Sequence, residues 1–172
     1  MEEENIGPKW EGGASAEIKG PTPQQVWDLL RDFGNLHKWI PSLDTCDLLD
    51  HGNQLPAQTG LIRYCASTKI TSSAGIDQTI TLWAKEKLIM IDPIKRCLSY
   101  EIVDNNMGFK SYVGTMEILP IINDDVKHGC KIKWSFVSDP VEGWRYEDLV
   151  SYIDSSVKLM AKKMEEHIHS SI

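Results

Sequence analysis

Two residues stand out because each is a lone charge among apolar neighbours. Read with the two-residue period of a strand, Thr79–Met90 carries Ile80, Leu82, Ala84, Glu86, Leu88 and Met90 on one face. A carboxylate on a covered face is costly unless it is paired or does chemistry, so Glu86 is the first candidate for a functional group. In Leu61–Ala66, Leu61, Arg63 and Cys65 share a face, and Arg63 is the odd charge there. A carboxylate held near a guanidinium can take up a proton while the guanidinium steadies a developing oxyanion. The same two residues also suit a structural ion pair, or a bulge that turns one side chain to solvent, and the residue pattern leaves both readings open.

Tyr100, Tyr112 and Trp134 fall on expected inward strand faces. A covered phenol or indole needs a hydrogen-bond partner, so these are ligand donors in a wet pocket and core aromatics in a dry one. Tyr64 lies on the face opposite Arg63 and reads as structural. The five histidines do not form a site: His167 and His169 are two apart on a helix, and His37, His51 and His128 fall in turn regions. No HExxH, GxSxG, P-loop or GxGxxG occurs, so neither a metal nor a cofactor is expected. Cys46, Cys65, Cys97 and Cys130 form no CxxC and read as free, mostly buried thiols.

The elements that position these groups are α+β. Residues 1–8 read as a mobile tail and 9–172 as a single domain. Lys9–Lys19 alternates as a first strand, and Thr22, Pro23 and Gln25 supply an N-cap, N1 proline and capping box for a helix with Val26, Leu29, Leu30 and Phe33 inward. Gly34 is its natural stop, and Leu36–Leu43 forms a second short helix or turn limited by Pro41. Strands follow at Thr45–Asp50, Leu61–Ala66, Thr79–Met90, Arg96–Val103, Phe109–Leu119 and Cys130–Ser138; Ser67–Gly75 reads as a polar loop or loose hairpin end. The period then changes: Leu149, Ile153, Val157, Met160, Met164 and Ile168 make the inner stripe of a long helix, loosened by Ser156 and Ala161.

Composition limits the partners. The 172 residues carry a net charge of −7 at pH 7, which disfavours nucleic acid and anionic membrane surfaces. The acidic start has no apolar core of a secretory signal and no apolar run spans a bilayer, so a cytoplasmic protein is expected.

From about Lys9 onward, the runs GPKWEG, QVWDLLRDFGNLHKWIPSLDTCDL, GLIRY, WAKEKL, LSYEI, KSYVGTM, WSF and VEG occur in an order that resembles the plant lachrymatory-factor-synthase-like proteins. These sit within the polyketide cyclase/dehydrase and lipid-transport group of the Bet v 1 and START-like superfamily. The resemblance implies a helix-grip fold, a curved seven-stranded antiparallel sheet around a long C-terminal helix, with two short helices after the first strand and an internal hydrophobic cavity. It implies that Glu86, Arg63 and Tyr112 are catalytic, matching the pair and assisting tyrosine that rearrange a propenyl sulfenic acid to a thial S-oxide without a cofactor. Tyr100 and Trp134 match cavity-lining positions, and Leu88, Met116, Ser156 and Met160 are expected beside the ligand. The sequence departs from that pattern in a longer segment between Arg63 and Glu86, and in Ser156 where a tryptophan is expected. The implied function is a proton-transfer isomerase acting on a sulfenic acid or similar small acid or enol. The alternative is a non-catalytic carrier or receptor for a hydrophobic small molecule such as a lipid, polyketide or hormone.

Overall fold

The computed structural model describes residues 7–49, 57–121 and 129–171. His51, His128, the acidic start and most of the loop expected after Leu49 lie outside the described residues. The elements run β1 (Trp10–Ile18), α1 (Pro23–Leu30), a 3-10 helix (Phe33–Lys38), β2 (Thr45–Leu49), β3 (Ile62–Ser73), β4 (Ile76–Asp92), β5 (Cys97–Asn105), β6 (Val113–Pro120), β7 (Cys130–Ser138) and α2 (Tyr146–Ser170). The strands form one antiparallel sheet in the order β1-β7-β6-β5-β4-β3-β2. Curved over α2, it is the helix-grip layout expected from the sequence. The stripe Leu149, Ile153, Val157, Met160, Met164 and Ile168 is buried in the core, where α2 runs beside β1 and β7.

Local chemistry explains the starts and stops. Thr22 Oγ1 accepts from the Gln25 backbone N–H at 3.2 Å and Gln25 Oε1 accepts from the Thr22 N–H at 2.9 Å, the capping box that starts α1 with Pro23 in its first turn. The expected stop is corrected: α1 ends at Leu30, and Gly34 lies inside the 3-10 helix. Its role is close approach, since a Cβ there would stand 2.9 Å from Leu48 Cγ.

Of the two readings of Ser67–Gly75, polar loop or hairpin end, the structure shows the hairpin end: Ser67 opposes Leu82, Ser73 opposes Ile76, and Ala74 and Gly75 turn with φ of 53° and 76°. Both faces of this arm meet solvent, with Ile70 73% and Ile76 64% exposed, so burial imposes no alternation on it. One further expectation changes, in β4. Leu88 pairs with Tyr100 but Met90 pairs with Ser99, leaving Ile89 as the extra residue of a bulge. The bulge takes Met90 off the Glu86 face and puts Ile91, opposite Leu98, against the core instead.

Candidate functional site

Arg63 and Glu86 are direct cross-strand partners on β3 and β4. Arg63 Nε donates to Glu86 Oε1 at 2.8 Å, and its Nη1 donates to the Phe33 carbonyl at 3.2 Å. The guanidinium lies 3.9 Å from the Phe33 ring centroid and 5.1 Å from that of Tyr100, and only 3% of the side chain is exposed. Burial is the largest influence on the Arg63 pKa and lowers it, but Glu86, Cys65, Cys46 and Tyr100 together outweigh it and the net direction is upward, so the guanidinium stays charged.

Between sheet and helix lies a cavity of about 180 Å³. One wall is β3 and β4 with Cys65, Ser67, Leu82, Ala84 and Glu86; α2 contributes Leu149, Tyr152 and Ile153; Leu36, Ile40 and Leu43 come from the 3-10 helix and the turn after it. Lys69, on the arm, also lines it. Among the described residues, Glu86 is the one carboxylate of this lining. Both of its hydrogen bonds among the described residues fall on Oε1, from Arg63 and, at 3.9 Å, from the Cys65 thiol, so Oε2 keeps its acceptor capacity for a ligand.

The same cavity is lined by a phenol pair. Trp134 Nε1 donates to the Tyr100 hydroxyl at 3.0 Å, and the Tyr100 and Tyr112 hydroxyls are 3.2 Å apart. An indole only donates, and one of the two phenols donates to the other. Whichever does so, one hydroxyl hydrogen remains for the cavity. Burial pushes the pKa of both phenols upward, and the Glu86 charge adds to it; Tyr152, 42% exposed as a residue, is shifted the same way by partial burial and then by Glu86. All three are neutral donors at physiological pH. Tyr100 reaches this position because Gly114, its partner on β6, has no side chain: a Cβ there would stand 2.4 Å from Tyr100 Cζ.

The structure therefore brings together Glu86, Tyr112, Tyr100 and Trp134 as lining residues. Arg63 is behind Glu86 rather than in the lining, so it holds the carboxylate and presents no surface to a ligand there. Leu88, Met116, Ser156 and Met160 are buried but do not line this cavity; Leu88, Met116 and Met160 are fully packed at 0%, 1% and 0% exposure. Ser156 lies beside the Tyr152 phenol rather than in the lining. Residues the sequence reading missed include Tyr152, Phe109 and Trp144. Tyr152 had a signal, three residues after Leu149 on the helical face, whereas Trp144 comes from a connection with no period to read; Phe109 was expected to open a strand, but β6 begins only at Val113 and Phe109 lies in the connection before it. Among the described residues no cluster of three or more His, Cys, Asp or Glu could hold a metal, and no helix is long and apolar enough to cross a membrane.

The chain is 25% identical over 140 residues to the abscisic acid receptor PYL2 of Arabidopsis thaliana, covering 81% of this chain and 67% of the receptor. Its fold superimposes on ginseng major latex-like protein 151 from Panax ginseng with a TM-score of 0.67 at 19% identity, over 94% of this chain and 98% of that one. It also superimposes on the protein XoxI from Bacillus cereus with a TM-score of 0.66 at 20% identity, over 91% and 94% of the two chains. The family described as polyketide cyclase / dehydrase and lipid transport matches residues 10–169, and a chain with this sheet, this helix and this cavity belongs to it.

Proposed function

We propose that the cavity takes a small, weakly acidic apolar molecule and that Glu86 moves a proton on it. One observation carries this reading: among the described residues Glu86 is the lone carboxylate in the lining, with its ion-pair partner behind it and one oxygen uncommitted. Arg63 holds the Glu86 carboxylate in place by its Nε hydrogen bond, and the spare phenolic hydrogen of the Tyr100–Tyr112 pair supports the oxygen on which charge develops. The sequence resemblance supplies a reaction of this kind. A propenyl sulfenic acid loses its S–O–H proton to Glu86, the electron pair moves through sulfur, and the proton returns to the distal alkene carbon to give a thial S-oxide. The test is turnover of propenyl sulfenic acid released in situ, by wild type and Glu86→Gln. A loss of about 100-fold or more is expected of a missing general base, and equal rates would remove Glu86 from the mechanism.

A second reading, a carrier or receptor that binds without chemistry, draws support from the receptor among its relatives and from the family's lipid-transport description. At about 180 Å³ the cavity is below the roughly 300–1,000 Å³ usual for drug-sized ligands, which favours a small cargo over a whole lipid. Native mass spectrometry of protein purified from its source separates the readings, since an unchanged co-purifying molecule favours carriage.

A further inference from the structure

Cys46 and Cys65 are register partners on β2 and β3, both free, with 4% and 5% exposure. Their sulfurs are 3.4 Å apart, beyond a disulfide bond of about 2.05 Å but close enough to reach it by a modest shift of β2, an edge strand. The two differ in what they face. Cys65 lines the cavity and its hydrogen has two acceptors in reach, Cys46 Sγ and Glu86 Oε1. Cys46 lies behind it, with the Phe33 carbonyl at 3.8 Å. The hydrogen bond from Cys65 pulls the Cys46 thiol down to about 6 despite burial, with the Arg63 charge assisting, and the same bond pushes Cys65 up.

We propose that Cys65 and Cys46 are an attacking and a resolving thiol that reduce an organic hydroperoxide held in the cavity. The apolar lining takes the organic group and Glu86 and the phenols take the polar end. Cys65 gives its proton to Glu86 and attacks the distal oxygen; the S–O bond forms, the O–O bond breaks, and the leaving alkoxide takes the proton from Glu86 as an alcohol. Cys46 then attacks the sulfur of the Cys65 sulfenic acid; the S–S bond forms, the S–O bond breaks, and hydroxide leaves with the Cys46 proton as water. Two thiols are oxidised and one hydroperoxide is reduced, and a small thiol entering the cavity resets the pair. This activity shares the cavity with the proton-transfer reading but does not depend on it, because hydroperoxide consumption is scored whether or not any isomerisation occurs.

The test treats fully reduced protein with one equivalent of cumene hydroperoxide or of hydrogen peroxide, followed by intact mass and peptide mapping. The expected result is a loss of about 2 Da, a Cys46–Cys65 linkage, one cumyl alcohol per chain, and reversal by dithiothreitol. Cumene hydroperoxide should react about tenfold faster than hydrogen peroxide, because the cavity concentrates the apolar reagent. Cys46→Ser, with Cys46→Ala as a second variant should the serine fail to fold, should stop at a Cys65 sulfenic acid that dimedone captures. Oxidation first at the more exposed Cys97, unchanged kinetics in Cys65→Ser, no reaction, or equal rates with the two peroxides would each overturn the proposal.

Discussion

Arg63 and Glu86 oppose each other across β3 and β4 at 2.8 Å, yet only the carboxylate reaches the cavity. The guanidinium is enclosed by the Phe33 ring and carbonyl and by Tyr100. The arrangement makes the arginine a support for the acid. Removing it should therefore cost stability before it costs binding contacts. Arg63→Met is expected to destabilise the fold by about 3–5 kcal/mol, because it strands a nearly buried carboxylate. Urea denaturation at pH 7 checks this; a variant as stable as wild type would show that Glu86 finds enough solvation without its partner.

Glu86 Oε2 should select ligands that donate a hydrogen bond. A small apolar molecule bearing an acidic O–H should bind wild type more tightly than Glu86→Gln by roughly 10- to 150-fold, the equivalent of a charge-assisted hydrogen bond of about 1.5–3 kcal/mol. Its methyl ether should bind both proteins alike. Trp134 and Trp144 line the cavity, so quenching of tryptophan fluorescence reports occupancy directly. Equal affinities of the acid for both proteins would place its polar end elsewhere.

Gly114 holds open the space that Tyr100 occupies. Gly114→Ala drives a methyl group into the phenol ring, which is buried and has little room to retreat. Overpacking of this kind costs about 1–3 kcal/mol, and the displaced hydroxyl would leave the Trp134 indole without its acceptor. A lower melting temperature together with weakened ligand binding is the expected outcome, whereas full binding in a destabilised variant would separate Tyr100 from the site.

Tyr100, Tyr112 and Tyr152 hold their protons more firmly in the folded chain than in the unfolded one. Above the ordinary tyrosine pKa near 10, the unfolded state releases protons that the folded state keeps, so stability is fully present below about pH 10 and is lost as pH rises through the folded values. Absorbance at 295 nm should show Tyr100 and Tyr112 ionising only well above pH 10 or with unfolding, and urea midpoints should fall between pH 9 and pH 11. Ordinary titration of all five tyrosines near pH 10 in a folded protein would contradict the buried phenol pair.

The sequence alone determined whatever one short segment can encode. The capping box of Thr22 and Gln25 starts α1 where the residues place it, and the alternation Cys130, Ile132, Trp134, Phe136 buries the face that it marks on β7. The i, i+3, i+4 stripe of α2 fixes which side of that helix meets the sheet. Glu86, Arg63 and Cys65 were legible as inward-facing residues because a strand assigns faces by parity. Tertiary structure decided what parity cannot express. The extra residue at Ile89 took Met90 off the inward face, a change set by pairing with β5. Seclusion of Arg63 depends on Phe33, thirty positions away, and contact between Cys46 and Cys65 on the register of an edge strand. Which buried residues line a void and which fill the core depends on how far the sheet curves from α2. That distance is a sum over many packed side chains, and it is why Tyr152 lines the cavity while Met160, two turns further along the same helix, does not.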